Sequence, residues 1–201
     1  MTAILVVGED ELCCALGERL VAELLPGWRL ALASINTKGV SRLIADLPRY
    51  QNVARHLHPV LCIADTDRAP CAAGLLRQWL PHGPQPRFLL RLAVTEAESW
   101  LLADRERFAA FLQIAEKHVP TAPDALADAK GCLLALARRS KVRQLRQELL
   151  ADGPDLRQGS GYNAHLGTYV RTHWQARQAA AASPSLQRAV IRIAALGGAH
   201  E

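Results

Sequence analysis

Two aspartates one residue apart, Asp65 and Asp67, close the apolar run VLCIADTD at residues 60–67. Val60, Leu61, Cys62, Ile63 and Ala64 show no polar alternation, the pattern of a strand buried on both faces in a parallel sheet covered by helices. Ligands of such sheets sit just beyond the carboxyl ends of the strands, where these two side chains fall. Neighbouring carboxylates repel, by ~1 kcal/mol at 4 Å in water and ~4 kcal/mol at an effective dielectric of 20. A pair placed there calls for a cation or a basic partner. The alternative is a solvated loop whose aspartates cap the next helix.

Further acids follow other apolar runs. Glu9, Asp10 and Glu11 come after residues 3–7 and Gly8, and Glu96 and Glu98 come after residues 87–94. In a parallel sheet all of them lie on one rim. Helix capping accounts for Asp10 and Glu11 singly, but convergence from three strand ends exceeds what capping needs. Oxygen-rich clusters suit Mg²⁺ or Mn²⁺. The seven histidines show no HxxxH spacing, which argues against zinc.

The elements that must position these groups are legible in the apolar spacing. Residues 3–7 predict a first strand; Leu12, Leu16, Leu20, Val21 and Leu24 predict a helix ended by Pro26-Gly27. Residues 28–33 predict a second strand. A helical stretch interrupted by Pro48 then runs to His58-Pro59. Residues 60–67 form the third strand, followed by Arg68-Ala69-Pro70 and a helix through Trp79. After the proline- and glycine-rich PHGPQP, residues 87–94 form a fourth strand. From Thr95 the chain reads as helices separated by turns, so a sheet-bearing part (1–94) and a helical part (95–201), packed as one unit, are expected.

Residues 130–146 read as a single basic helix carrying Lys130, Arg138, Arg139, Lys141, Arg143 and Arg146 with no acid among them. Leu133, Leu134, Leu136, Ala137, Val142 and Leu145 keep a helical period on the opposite side. Such a run is either a solvated face or a phosphate-binding one, and the acidic rim favours the second. GSGYNAHL, with Tyr162, reads as an ordinary loop before a helix rather than a stacking loop. Trp100, Phe108 and Phe111 fit buried helix faces.

The strand–Gly–acidic helix pattern followed by DxD resembles the Toprim fold of topoisomerases, primases and the overcoming-lysogenization-defect nucleases. More narrowly, ADTDRAPC with TEAESWLLADRERFAAFL, DAKGCLLALARRSK, GSGYNAHL and SPSLQRA is similar to a Toprim-like family of bacterial proteins found beside ATP-binding-cassette-type ATPases. Its most specific part is ExExW, Glu96 to Trp100. The resemblance implies an α/β, Rossmann-like, mostly parallel sheet of about four strands with a helical C-terminal half. It implies a divalent-metal-dependent nuclease, acting on DNA ahead of RNA, with such an ATPase as partner in defence or genome maintenance. Asp65 and Asp67 then hold Mg²⁺ or Mn²⁺ with Glu96 and Glu98, and Glu9 is the general base with Glu11 second. Lys130 or Arg139 stabilises developing charge, and Arg138, Lys141, Arg143 and Arg146 hold the backbone. One departure is plain: the Toprim glutamate that precedes the glycine is Val7 here. The rival reading is therefore a catalytically inert Toprim-like subunit that binds nucleic acid or the ATPase. A phosphoacceptor receiver domain fits worse, because no lysine follows a fifth strand.

Composition agrees with these expectations without demanding them. A chain of 201 residues, half of them apolar, can bury a substantial core. A net charge of +5 suits a polyanionic partner. Five cysteines without a CxxC pair read as buried thiols of a reducing cytoplasm. No signal peptide or membrane span is expected, and a homodimer is compatible with the reading.

Overall fold

A computed structural model describes residues 2–67 and 71–198. The sheet contains β1 (Ala3–Gly8), β2 (Arg29–Leu30), β3 (Ile35–Asn36), β4 (Val60–Asp65) and β5 (Phe88–Ala93), and every pairing between them is parallel. The order is β2–β1–β4–β5, with β3 on the same side of β1 as β2. Of the expected second strand, 28–33, only Arg29–Leu30 is strand, and β3 lies beyond its expected end, so this edge of the sheet is split in two. Register explains the split: β1 advances three residues, Ile4 to Val7, while its neighbour advances five, Leu30 to Ile35. Two surplus residues cannot be accommodated in a continuous ladder, so the chain leaves the sheet between the two pairings.

Helix α1 (Glu11–Leu24) connects β1 to β2, and α2 (Val40–His56) connects β3 to β4. The expected interruption of α2 at Pro48 does not occur. Pro48 lies on the exposed face of the helix, where its ring is turned away from the core. Helix α3 (Ala72–Trp79) follows β4, and residues 68–70 of the sequence reading lie outside the described residues.

Alternation within the strands builds two cores. Ile4, Val6, Leu61 and Ile63 point to one face, against Leu12, Leu16 and Leu20 of α1; Leu5, Val7, Val60, Cys62 and Ala64 point to the other, against Leu43, Leu47 and Tyr50 of α2. Burial on both faces is why β4 reads as an unbroken apolar run. The helical half is α4 (Ala97–Ala103), α5 (Arg105–Leu112), α6 (Ala129–Arg138), α7 (Arg143–Leu149), α8 (Tyr162–Thr172), α9 (Ala176–Ala179) and α10 (Pro184–Gly198). Its apolar side chains, among them Trp100, Phe108, Trp174 and Ile193, join the α1 core continuously. Two indoles tie the helical half together: Trp174 Nε1 donates to the Trp100 carbonyl at 2.9 Å, and Trp100 Nε1 donates to Ser185 Oγ at 2.8 Å.

The basic stretch 130–146 is two helices, α6 and α7, rather than one. Ser140 breaks it: the buried Ser140 Oγ donates to the Leu112 carbonyl at 2.7 Å and accepts from Val142 N at 3.1 Å, a side-chain alternative to helical bonding. Among the described residues no helix is long and apolar enough to cross a membrane.

Candidate functional site

The chain passes from β1 to β2 on one side and returns to β4 on the other, so the crevice between the carboxyl ends of β1 and β4 is the topological switch point. Glu9 follows β1 and Asp65 ends β4. The Glu9 carboxylate accepts the backbone N–H of Asp65 at 3.1 Å, and Glu9 N–H donates to the Ile63 carbonyl at 3.0 Å. Glu9 also takes a backbone hydrogen bond from Val40 in the first turn of α2, where unpaired N–H groups favour an anion. Burial nevertheless raises the Glu9 pKa, with Asp67 and Asp10 adding to the rise.

Gly8 makes this approach possible through space, not through unusual backbone angles. A Cβ there would stand 2.4 Å from Cys14 N and 2.8 Å from the Asp10 carbonyl, because α1 begins directly against the strand end. Asp10 caps α1 by accepting from Cys13 N at 2.8 Å, so capping does account for that acid.

Asp65 is the most strongly perturbed carboxyl of the rim. Burial lifts its pKa well above the usual range, and Glu98, Glu9, Asp10 and Asp67 push it further. Its near polar neighbour is the buried Cys13 thiol, at 3.9 Å from Oδ1. Asp67 is exposed and takes a left-handed φ of 48°, tolerated by aspartate. The turn carrying it is tied to the end of β5: Asp67 N donates to the Thr95 carbonyl at 2.9 Å, and Thr66 N donates to Ala93 and Thr95 carbonyls.

Glu96 and Glu98 enter from α4 and differ in environment. Glu96 accepts from Lys130 N at 2.8 Å and so tethers the start of α6. Glu98 is only 6% exposed and accepts from the Tyr162 hydroxyl at 2.7 Å. Burial raises its pKa, against the lowering effects of the Tyr162 hydrogen bond and of nearby Lys130. Lys130 Nζ lies 5.3 Å from the centre of the Tyr162 ring, a cation–π distance. Beside the rim, Asp67, Thr95, Glu96, Ala127 and Asp128 line a cleft of ≈ 510 Å³.

Other expected residues stand elsewhere. Glu11 faces away from the rim and pairs with Arg171 at 3.6 Å, alongside the Arg171–Glu18 pair at 2.7 Å. Arg139 follows the last turn of α6 and is exposed. With Lys130 at the rim end of that helix, Arg139 lies about 13 Å further along the axis, so of the two cations only Lys130 is at the rim. Arg138, Lys141 and Arg143 are exposed near the same far end, and Arg146 is spent on the Ser140 carbonyl.

Tyr162, which the sequence places in an ordinary loop, and Asp128, which no motif singles out, both stand at the site: Asp128 lines the cleft while capping α6 through Gly131 N. Tyr162 is buried, at the start of α8, and orients Glu98 rather than stacking from a loop. Among the described residues no three His, Cys, Asp or Glu side chains are gathered into a ready-made metal cage. The rim presents separate carboxylate arms around Asp65. Comparison of the chain with protein-family models, with curated proteins and with solved structures gave no match.

Proposed function

We propose that the chain is a divalent-metal-dependent nuclease that cleaves phosphodiester bonds of nucleic acid at the β1–β4 switch point. One observation carries this reading: Asp65 is half-buried at the strand end, and the charged groups acting most strongly on it are all carboxylates. A hard cation would offset that repulsion. The donor set fits Mg²⁺ or Mn²⁺, which are bound through one or two carboxylates and retained waters without a full protein cage. Asp65 and Asp67 would hold the ion, with Glu98 and Glu96 behind them. When bound, such an ion polarises a phosphate and lowers the pKa of water.

The remaining roles belong to the chain's own side chains. Glu9, fixed by the Asp65 and Val40 N–H groups and raised in pKa by burial, is suited to take a proton near neutrality. The Lys130 ammonium, over the Tyr162 ring and beside Glu98, is placed to favour negative charge developing on a phosphate oxygen. Tyr162 keeps Glu98 in one orientation. The Toprim resemblance supports DNA as substrate and an ATP-binding-cassette-type ATPase as partner, in defence or genome maintenance.

A second reading has its own observation. Val7 stands where the Toprim glutamate would be and is fully buried against the α2 face, which favours an inert subunit that binds nucleic acid or the ATPase. Incubating supercoiled plasmid with Mn²⁺ and the full chain decides between them. Nicking that Asp65→Asn abolishes supports the nuclease; intact plasmid in the presence of Mg²⁺, Mn²⁺ and the ATPase supports the inert subunit.

A further inference from the structure

Three arginines gather outside the rim, Arg91 on β5, the last strand of the sheet, and Arg188 and Arg192 on α10. Among the described residues β5 pairs with β4 alone, so its other edge borders no strand. Arg91, in the middle of β5, points to the face covered by α10, where Arg188 and Arg192 lie within electrostatic reach of its guanidinium. Arg188 and Arg192 are both exposed, one turn apart on the same side of α10, ~6 Å along its axis. Exposed Ile191 stands beside them, at 60%. On the other side of the sheet Arg77 shares a small cleft with Arg91.

Among the described residues this cluster has no counter-charge. None of Arg91, Arg188 and Arg192 has an ion pair or hydrogen bond among the described residues, and the buried Arg91 Nε has no acceptor. Burial lowers the Arg91 pKa first, and the two like charges lower it further. Some arginines elsewhere are ion-paired, as Arg171 is with Glu18 and Glu11, Arg105 with Glu116 and Arg107 with Asp104, and Arg91 differs from the exposed unpaired ones in that its Nε is shut away from water. A donor fork left free within a group of like charges is the arrangement that an external oxyanion completes.

We propose that Arg91, Arg188 and Arg192 form a phosphodiester-binding patch that leads a nucleic-acid strand along the outer edge of β5 to the acidic rim. The register places it. Arg91 pairs with Ile63 and Ala93 with Asp65, so Arg91 lies two residues, about 7 Å, back from the strand end that carries the rim. The two arginines on α10 are spaced on the scale of neighbouring phosphates, and Ile191 offers an apolar contact to a sugar or base. The acids of the rim repel a phosphate backbone, so an adjacent cationic track is needed to hold one there. Arg138, Arg139 and Arg143, at the far end of α6 and on α7, are not the principal track. The patch deepens the nuclease reading and rests on it for the identity of the polyanion.

The test is salt-dependent binding of a fluorescein-labelled oligothymidylate to the full chain, with Mg²⁺ present. Losing two phosphate contacts should lower the slope of log affinity against log salt by about 1.4, at about 0.7 per contact on single strands. Arg188→Gln with Arg192→Gln, both exposed, should show this loss with an unchanged melting temperature, and Arg91→Gln should weaken binding again. Arg138→Gln with Arg139→Gln should leave the slope as it is. A slope unchanged in Arg188→Gln/Arg192→Gln but lowered in Arg138→Gln/Arg139→Gln overturns the patch and leaves the nuclease reading standing. Wild-type chain that fails to bind the oligonucleotide at low salt overturns both. If the α10 variant loses binding to poly-glutamate but not to the oligonucleotide, the patch is a docking site for an acidic protein, and the phosphodiester assignment fails.

Discussion

Glu9 accepts the backbone N–H of Asp65 at 3.1 Å, so the acid after β1 is bonded to the strand whose end carries the most perturbed carboxyl of the rim. The contact ties the two sides of the switch point together and brings two negative groups into one partly buried space. Folding has therefore assembled repulsion that it must offset elsewhere.

Stability without metal should fall as pH rises above the ordinary carboxylate range. Asp65, Glu9 and Glu98 all have folded pKa values raised by burial first. The folded state then holds more protons than the unfolded one across that window, which gives stability a negative slope with pH. Their favourable contribution is complete below the unfolded pKa of about 4 and is lost as pH passes the folded values. Asp65→Asn should flatten the fall and raise Tm at pH 8 in EDTA. A gain of about 1 kcal/mol would appear as ~2–4 °C for a chain of this size. A Tm that climbs with pH alike in wild type and Asp65→Asn would contradict the assignment.

Metal should reverse the penalty. Mn²⁺ at 100 times its dissociation constant should stabilise the fold by about 2.7 kcal/mol. The double variant Asp65→Asn, Asp67→Asn should lose the response while still folding. Identical melting of wild type and double variant through a Mn²⁺ titration would remove the metal from the mechanism.

Glu9→Gln should lower plasmid nicking by ~10²–10⁴-fold, the range for loss of a general base, with the Mn²⁺-induced Tm shift retained. Glu11→Gln should nick at close to the wild-type rate, because Glu11 is paired with Arg171 on another side of α1. The reverse ranking of the two variants would transfer the role to Glu11 and require α1 to turn in the active state.

Tyr162→Phe removes the hydrogen bond to buried Glu98 without changing shape. An acceptor left unpaired in that setting costs ~1–3 kcal/mol, measurable by urea unfolding. Nicking should fall as well, since Glu98 would no longer be held. Unchanged stability and activity would mean that water takes the place of the hydroxyl.

Gly8→Ala should be among the more damaging small substitutions in the chain. Its new Cβ meets backbone atoms of α1, which cannot rotate away as a side chain can. Overpacking of this kind costs ~1–3 kcal/mol, read as a lower urea midpoint. A near-neutral variant would show that α1 can slide along the sheet.

The sequence by itself determined the parallel sheet and its acidic rim. Unbroken apolar runs such as residues 60–64 are stable when both faces are covered, and side chains directly after a parallel strand emerge on one edge whatever surrounds them. Glu9, Asp65, Asp67, Glu96 and Glu98 were legible for that reason. Tertiary structure decided which neighbouring residues share their space. Glu11 is two positions from Glu9, yet it begins a helix whose packing turns it to Arg171, 160 residues later in the sequence. Ser140 divides the basic stretch by bonding to the Leu112 carbonyl, and Glu96, tethering the start of α6, leaves Lys130 at the rim and Arg139 at the far end of the same helix. Tyr162 reaches Glu98 across 64 residues, and Arg91 meets Arg188 and Arg192 across about a hundred. Local apolar periodicity encodes how each segment buries itself, but the partner of a polar side chain is set by helix rotation and docking, which depend on every segment packed against it.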